Sequence, residues 1–388
     1  EFATMSEKFQ QNCFDTVRID DLRKNLAEYT AMDDNAPRSL SGQFYTDPAF
    51  FNHECRAVLH RGWHCVGRSD EFARNGDYLT LNLLGEPLII VRDGDNIKAL
   101  SNVCRHRGML LTEGQGNSNR FVCRYHGWTY GLDGALLRAP RMKNDGFDQK
   151  TCKLGGFSCK QKFGFVYVSL SSNPSDIDAE LAGLGNIIAN YEPEKYSIAH
   201  SATEIWKCNW KSLVENFMEG YHLSIVHPHT LHGYTPTGLS KKGPNGAGYT
   251  SYFANYPDKI ASRGPGAASL TKEERNRSTL FAVFPCQVVS IASSLLVSLS
   301  IRPLSPASIE LRWTMSVHSE SLDPKTISER IKLWEDVNQE DQDKLEAMQS
   351  ALSSVFANGG PLAEDDYEGT IKDFLRWLAK QDASHGLN

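Results

Sequence analysis

The chain has 388 residues, a formal net charge of −6 and 40% hydrophobic residues. That length suffices to bury a large core and suggests two domains or one large one. The acidic balance gives no general attraction to nucleic acid or to an anionic membrane. No apolar run reaches the roughly eighteen residues of a membrane span, and the opening "EFATMSEKFQ" lacks the basic-then-apolar pattern of a secretory signal. Neither nucleic acid nor membrane is an expected partner.

Residues 1–4, ahead of Met5, read as an expression scar, and 5–45 as an N-terminal helical segment that packs on the catalytic part. The nine cysteines are odd in number and scattered. With no extracellular marker they read as free or metal-bound thiols in a reducing cytoplasm, not as a disulfide framework.

From Asp77 to Asn102 apolar and β-branched runs alternate with turn signals at Gly85-Glu86-Pro87 and Asp93-Gly94-Asp95. This pattern predicts a small antiparallel β domain. It continues to the strand-like "GFVYVSL" of 164–170, after which "SSNPSD" reads as a boundary. One domain is therefore expected over 46–170 and a second over 171–388.

In the second part Val297, Leu299 and Ile301, then Ile309, Leu311, Trp313, Met315 and Val317, alternate with period two around Pro303 and Pro306. The pattern predicts a hairpin of half-buried strands. Two amphipathic helices follow. The first spans 326–352 with Ile331, Trp334, Val337, Asp341, Leu345 and Met348 on one face; the second lies in "TIKDFLRWLAK". The fold class is α+β.

Two Cys and two His stand close together as Cys104-x-His106 and Cys123-x-x-His126, separated by sixteen residues. A zinc ribbon is the plain structural alternative, but zinc fingers tend to pair Cys with Cys and His with His. Here each half gives one of each. An iron–sulfur pair with two thiolates on one iron and two imidazoles on the other needs this mixture. Gly108, Gly127 and Gly131 suit loops that fold close over such a cluster. The motif, completed by Gly127-Trp128, resembles the Rieske [2Fe–2S] domain.

Further on, "NWKSLVENFMEGYHLSIVHPHT" spans Asn209 to Thr230. A helix over Lys211 to His222 would put Glu215, Glu219 and His222 on one face. His227 follows before Pro228, where the helix must end. Alone, two such histidines read as surface or capping residues; beside a Rieske motif they read as iron ligands that need one carboxylate. Asp341 sits on the apolar stripe of its helix, where an unpaired charge is costly. Glu340, Asp343 and Glu346 read as solvated acids, and Asp336 is the weaker rival. His229 and His232 read as structural or solvent-facing.

The two constellations in this order resemble the large (alpha) subunit of the Rieske non-haem iron oxygenases, over nearly the whole chain. The resemblance implies a Rieske β-sandwich with a helix-grip catalytic domain, an antiparallel sheet packed by long helices. It implies cluster binding by Cys104, His106, Cys123 and His126, and mononuclear Fe(II) binding by His222, His227 and Asp341. Gln349 follows at the family-like distance, and Asn216 is a candidate supporting residue. It further implies a ring of three chains, with an acid three residues before the first iron-binding His linking the cluster of one chain to the iron of the next. That acid is Glu219, where ring-hydroxylating relatives usually have Asp. Glu resembles the branch acting on carnitine, choline and related quaternary ammonium compounds.

The expected activity follows from the resemblance. Electrons from NAD(P)H arrive through a flavin/iron–sulfur reductase, directly or by a ferredoxin, and O2 is used to hydroxylate or N-demethylate a small quaternary ammonium or N-methyl substrate. Hydroxylation of an arene or aromatic acid is the alternative. A Rieske ferredoxin fused to an inert partner, or a zinc-stapled binding module, would leave Asp341 and the two histidines idle. Trp206, Phe217, Tyr221, Tyr234, Tyr249, Tyr252, Phe253, Phe281 and Phe284 are candidate pocket walls, able to cage a cation or stack on an arene. Neither the substrate, the reductase nor a small second subunit is legible in the residues.

Overall fold

The computed structural model describes residues 18–319 and 322–385, so the expected scar at 1–4 lies outside the described residues. The chain forms two antiparallel seven-stranded arrangements and a three-stranded one. The first runs in the order His64–Arg68, Phe165–Ser169, Gly156–Lys162, Asn96–Ser101, Glu86–Asp93, Asp77–Leu83, Gln115–Asn117. The turns expected at Gly85 and Gly94 fall between these strands, each with its glycine at positive φ. The small sheet, Phe121–Val122, Thr129–Tyr130 and Leu136–Arg138, carries the second Cys/His loop.

The second large sheet runs Tyr196–Trp206, Ser308–His318, Leu295–Ser305, Gln287–Ile291, Arg277–Val283, Tyr249–Asn255, Ser240–Lys242. Against it pack the helices Trp210–Phe217, Pro324–Ala351 and Asp365–His385, sharing one core that includes Trp210, Trp313, Trp334, Phe374 and Leu378. The long helix buries Trp334, Val337, Asp341 and Leu345 as expected, with Asn338 and Gln349 beside them, but Met348 is exposed.

The central hairpin pairs Leu299 with Trp313 and Ile301 with Leu311. Its apolar residues face the helices with the expected period of two. It is not half-buried, however, since the opposite face, with Ser298, Ser300, Arg312, Thr314 and Ser316, is buried too. That face meets the first domain: Arg312 Nη1 donates to Glu71 Oε2 at 3.2 Å, and Tyr167 of the first domain donates to Gln287 Oε1 at 2.6 Å. Serine and arginine look like solvent residues in a strand, but here they are the polar seam between two domains.

Candidate metal centres and the cavity beside them

The two Cys/His loops are one turn built twice. The Cys104 N–H donates to Met109 O at 2.8 Å and the Gly108 N–H to Cys104 O at 3.0 Å; the Cys123 N–H donates to Trp128 O at 2.8 Å and the Gly127 N–H to Cys123 O at 3.0 Å. Gly108 and Gly127 have φ of 76° and 72°, a conformation open to glycine at no steric cost. The sign of φ is what requires glycine.

Cys104 and Cys123 are buried thiols, and the Nδ1 of His106 is buried without a hydrogen-bond partner. The rings of His106 and His126 lie 4.6 Å apart, and His106 stacks on Trp128 at 4.9 Å and 8°. His126 and its neighbour Tyr125 are exposed at the tip. Two buried thiols with two neighbouring imidazoles, one holding an orphaned nitrogen, fit a cluster with two thiolate and two imidazole ligands. Tyr130 adds a hydroxyl 3.4 Å from Cys104 Sγ, itself fixed by the Arg105 N–H at 3.0 Å.

The second centre starts from a helix shorter than the sequence suggests. Asn209 caps it, its side chain accepting from the Lys211 N–H, and it ends at Phe217 instead of reaching His222. The cause is Gly220, whose N–H donates to Tyr367 O at 3.0 Å and where a Cβ would lie 2.1 Å from Ser240 Oγ. The chain is pressed against a strand and cannot continue its spiral. His222 and His227 therefore flank a separate turn, Leu223–Val226. Glu215 faces away from them, accepting from Tyr45 Oη at 2.8 Å, so the expected stripe of Glu215, Glu219 and His222 is broken.

His222, His227 and Asp341 come together with one ligand atom of each within 4.8 Å of the others. His227 Nε2 is 3.1 Å and His222 Nε2 3.6 Å from Asp341 Oδ1, an oxygen buried without a hydrogen-bond partner. Both histidines turn Nδ1 to a carboxylate. His222 Nδ1 pairs with Glu219, which also accepts the His222 N–H at 3.1 Å; His227 Nδ1 pairs with Glu340 Oε2 at 2.7 Å. A carboxylate on Nδ1 fixes the tautomer and leaves Nε2 free for a metal. Two such nitrogens and an orphaned carboxylate oxygen fit a divalent iron with open positions. Burial lowers the His222 pKa, but Glu219 and then Asp341 outweigh it and raise it, as expected where a proton stands in for a cation.

Several readings change. Glu340 is not an ordinary solvated acid, since it holds His227 and also accepts from Thr230 Oγ1 at 2.6 Å. Its i−1 position beside Asp341 points it at the segment carrying His227, which was detectable only once that segment's placement was known. Asp336 pairs with Lys332 in solvent. Gln349 accepts from the Asn209 N–H at 2.9 Å and donates to Tyr45 O at 3.2 Å, tying elements together. Asn216 has its Nδ2 buried without a partner. His229 and His232 are exposed.

A cavity of about 50 Å³ opens beside the triad, with Leu223, Leu231, Tyr252, Leu295 and Trp334 among its walls. Leu223 follows His222, the Leu231 N–H donates to His227 O at 3.2 Å, and Trp334 lies two turns before Asp341 on the same helix. Burial first, then the charges of Glu219 and Asp341, push the Tyr252 hydroxyl well above its usual pKa, which places that ring next to the centre. Of the nine aromatics expected as walls, Tyr252 lines the cavity. Phe217 stacks behind Trp334 at 6.4 Å, Tyr249 and Phe281 lie in a separate core, Phe284 packs on Phe374, and Tyr221 is exposed. The cavity also contains Arg263, which no periodicity marks. No helix among the described residues is long and apolar enough to cross a membrane.

Comparison with known proteins agrees with this geometry. Residues 62–158 match the Rieske [2Fe–2S] domain, and residues 189–383 match the ring hydroxylating alpha subunit (catalytic domain). The chain is 29% identical to the glycine betaine monooxygenase oxygenase subunit of Chromohalobacter salexigens, over 88% of this chain and 85% of that one. It is 34% identical to the carnitine monooxygenase oxygenase subunit of Escherichia coli over 50% of this chain and 57% of that one. Among solved structures, the quaternary ammonium Rieske monooxygenase CntA with L-carnitine aligns at TM-score 0.79 and 23% identity, covering 92% of this chain and 98% of that one. Naphthalene 1,2-dioxygenase from Rhodococcus sp. aligns at TM-score 0.80 and 18% identity, covering 93% and 98%, so the fold is common to both substrate classes. The chain thus belongs to the ring hydroxylating alpha subunit family, and it is a Rieske-type non-haem iron oxygenase.

Proposed function

We propose that this chain is the oxygenase component of a reductase-dependent monooxygenase acting on a small quaternary ammonium or N-methyl compound. The observation that carries the reading is the triad of His222, His227 and Asp341, each histidine fixed at Nδ1 by its own carboxylate and the three converging beside a narrow, partly aromatic cavity. The names of the relatives, acting on glycine betaine and carnitine, supply the substrate class.

When bound, the [2Fe–2S] cluster supplies single electrons and the mononuclear iron the site of O2 reduction. Cys104, Cys123, His106 and His126 would hold the first, and His222, His227 and Asp341 the second. Glu219 and Glu340 keep the Nδ1 protons and so present both Nε2 atoms in one direction. Leu223, Leu231 and Leu295 exclude water, and Trp334 and Tyr252 offer ring faces to a cationic methylammonium. Two electrons from NAD(P)H, through a reductase, and one O2 would place one oxygen in product and one in water. Hydroxylation of an N-methyl group would then release formaldehyde and the demethylated amine.

A ring of three chains fits the exposed surfaces. His126 is exposed beside Tyr125, Val122 and Met109, and Glu219 and His222 lie beside exposed Tyr221 and Ile225. In such a ring the first patch of one chain would dock on the second patch of the next, covering both and bringing His126 toward Glu219. Glu219 is the link between the centres in this reading, and Asn216 a weaker supporting residue. A reducing, cytoplasmic setting belongs to the same reading, on the odd number and scatter of the nine cysteines. The reading is tested by coupled O2 uptake with a generic reductase, comparing carnitine, glycine betaine, choline and stachydrine with benzoate, salicylate and a bicyclic arene. Formaldehyde or aldehyde matching O2 consumed is expected from the first set; a diol or phenol from the second, with the first inert, would overturn the substrate class.

A further inference from the structure

Arg263 lines the cavity and is 7% exposed, with its Nη1 buried and without a hydrogen-bond partner. Its guanidinium lies flat on the Tyr234 ring at 3.7 Å and near Tyr256 at 5.8 Å. Arg330 also approaches the Tyr234 ring, at 5.9 Å. Among the described residues no carboxylate forms an ion pair with Arg263, and the charged group that acts on it most is this second arginine. Desolvation pulls its pKa down and Arg330 adds to that pull, while the Tyr256 and Tyr234 hydroxyls oppose it. An arginine remains charged regardless, so the fold holds a buried cation whose partners are neutral tyrosines, with no carboxylate among the described residues to neutralise it.

Such a group is costly unless something pairs with it, and a planar fork matches a carboxylate in geometry and charge. The rest of the wall limits where the other end of a ligand can lie. Ser278 lines the cavity and bonds Tyr256 Oη at 2.8 Å beside the arginine, whereas Leu223 follows the iron-binding candidate His222 and Trp334 lies two turns before Asp341. A ligand ammonium is repelled from Arg263 and drawn toward Asp341 and the aromatic faces. We propose that Arg263 is the anchor for a substrate carboxylate, so that the site takes a zwitterion with its methylammonium at the iron end and discriminates against a quaternary ammonium that has no acid. This rests on the substrate class proposed above and narrows it.

The test is anaerobic equilibrium binding to the iron-loaded holoenzyme, without turnover, using pairs that differ only in the acid: glycine betaine against its amide, and benzoate against benzamide. The wild type should bind glycine betaine on the order of 10- to 100-fold more tightly than the amide, the range for a charge-assisted bidentate pair. Arg263→Met should bring the pair to within roughly threefold, and Arg263→Lys, with charge but no fork, should fall between. An intact Rieske spectrum establishes that each variant is folded; if Arg263→Met fails to fold, the wild-type comparison and the Lys variant decide. Acid preference confined to benzoate and abolished in the variants would sink the ammonium reading and leave the anchor standing. Lack of acid preference in both pairs, or a preference that survives Arg263→Met, overturns the anchor whatever the substrate is.

Discussion

Glu340→Ala should weaken the hold on the mononuclear iron without touching the cluster. The carboxylate is 2.7 Å from His227 Nδ1, and that histidine is 1% exposed, so the Nδ1 proton has no water to turn to when its partner is removed. Supporting carboxylates of this kind are worth about 10- to 100-fold in metal affinity, or about 1.4 to 2.7 kcal/mol. Glu340 keeps 28% of its side chain exposed, which screens part of its charge and favours the lower half of that range. Glu340→Gln retains an acceptor for the Nδ1 proton and loses only the charge, so its effect should be the smaller. Iron retention against a graded chelator, read alongside the Rieske absorbance, measures both. Equal retention by wild type and Glu340→Ala would refute the argument, because it would mean His227 is oriented by packing alone.

Asp341→Ala should lose the mononuclear iron and all turnover with a normal Rieske spectrum, while Asp336→Ala, altering a solvated pair with Lys332, should do neither; iron content and EPR read the contrast. Glu219→Gln should keep both metals yet slow reoxidation of the reduced cluster in single turnover with substrate and O2, and an unchanged rate would remove its linking role. Burial raises the Glu215 pKa from 4.5 to about 7. The unfolded chain therefore releases this proton first, stability falls as pH rises between those values, and the penalty, at most about 3 kcal/mol, persists above them. In Glu215→Gln, which keeps an acceptor for Tyr45, urea unfolding should lack this part of the decline.

The pairing of the two Cys/His loops is legible in sequence because a short spacing within one loop is local information. Asp341 was legible for a different reason, as a charge on a stripe that must be buried. Glu340 escaped because its meaning depends on what lies across the gap: one residue along the same helix, it faces a histidine that is 113 positions away in the chain. The helix ending at Phe217 escaped likewise, since Gly220 against Ser240 is a steric fact between distant segments. The central hairpin kept its period of two, yet its polar face was misread, because alternation tells which residues share a face and not what covers it. Arg263 sits in an irregular stretch with no pattern to read; only its enclosure without a counterion marks it.

The segment that bears the two histidines is tied to both ends of the chain. Lys211 reaches Glu54 at 2.9 Å, the Asn209 side chain donates to Tyr45 O at 3.1 Å while its backbone N–H donates to Gln349 Oε1 at 2.9 Å, and the Gly220 N–H donates to Tyr367 O. Contacts of such long sequence separation close late, after the chain entropy of wide loops has been overcome. During synthesis Glu54 and Tyr45 leave the ribosome early and both Cys/His loops soon after them, whereas Gln349, Tyr367 and Asp341 itself follow the histidine segment by more than a hundred residues. Cluster assembly can therefore begin on a nascent polypeptide, but capture of the mononuclear ion must wait for release of the C-terminal helix, making the two metallations separate events in time.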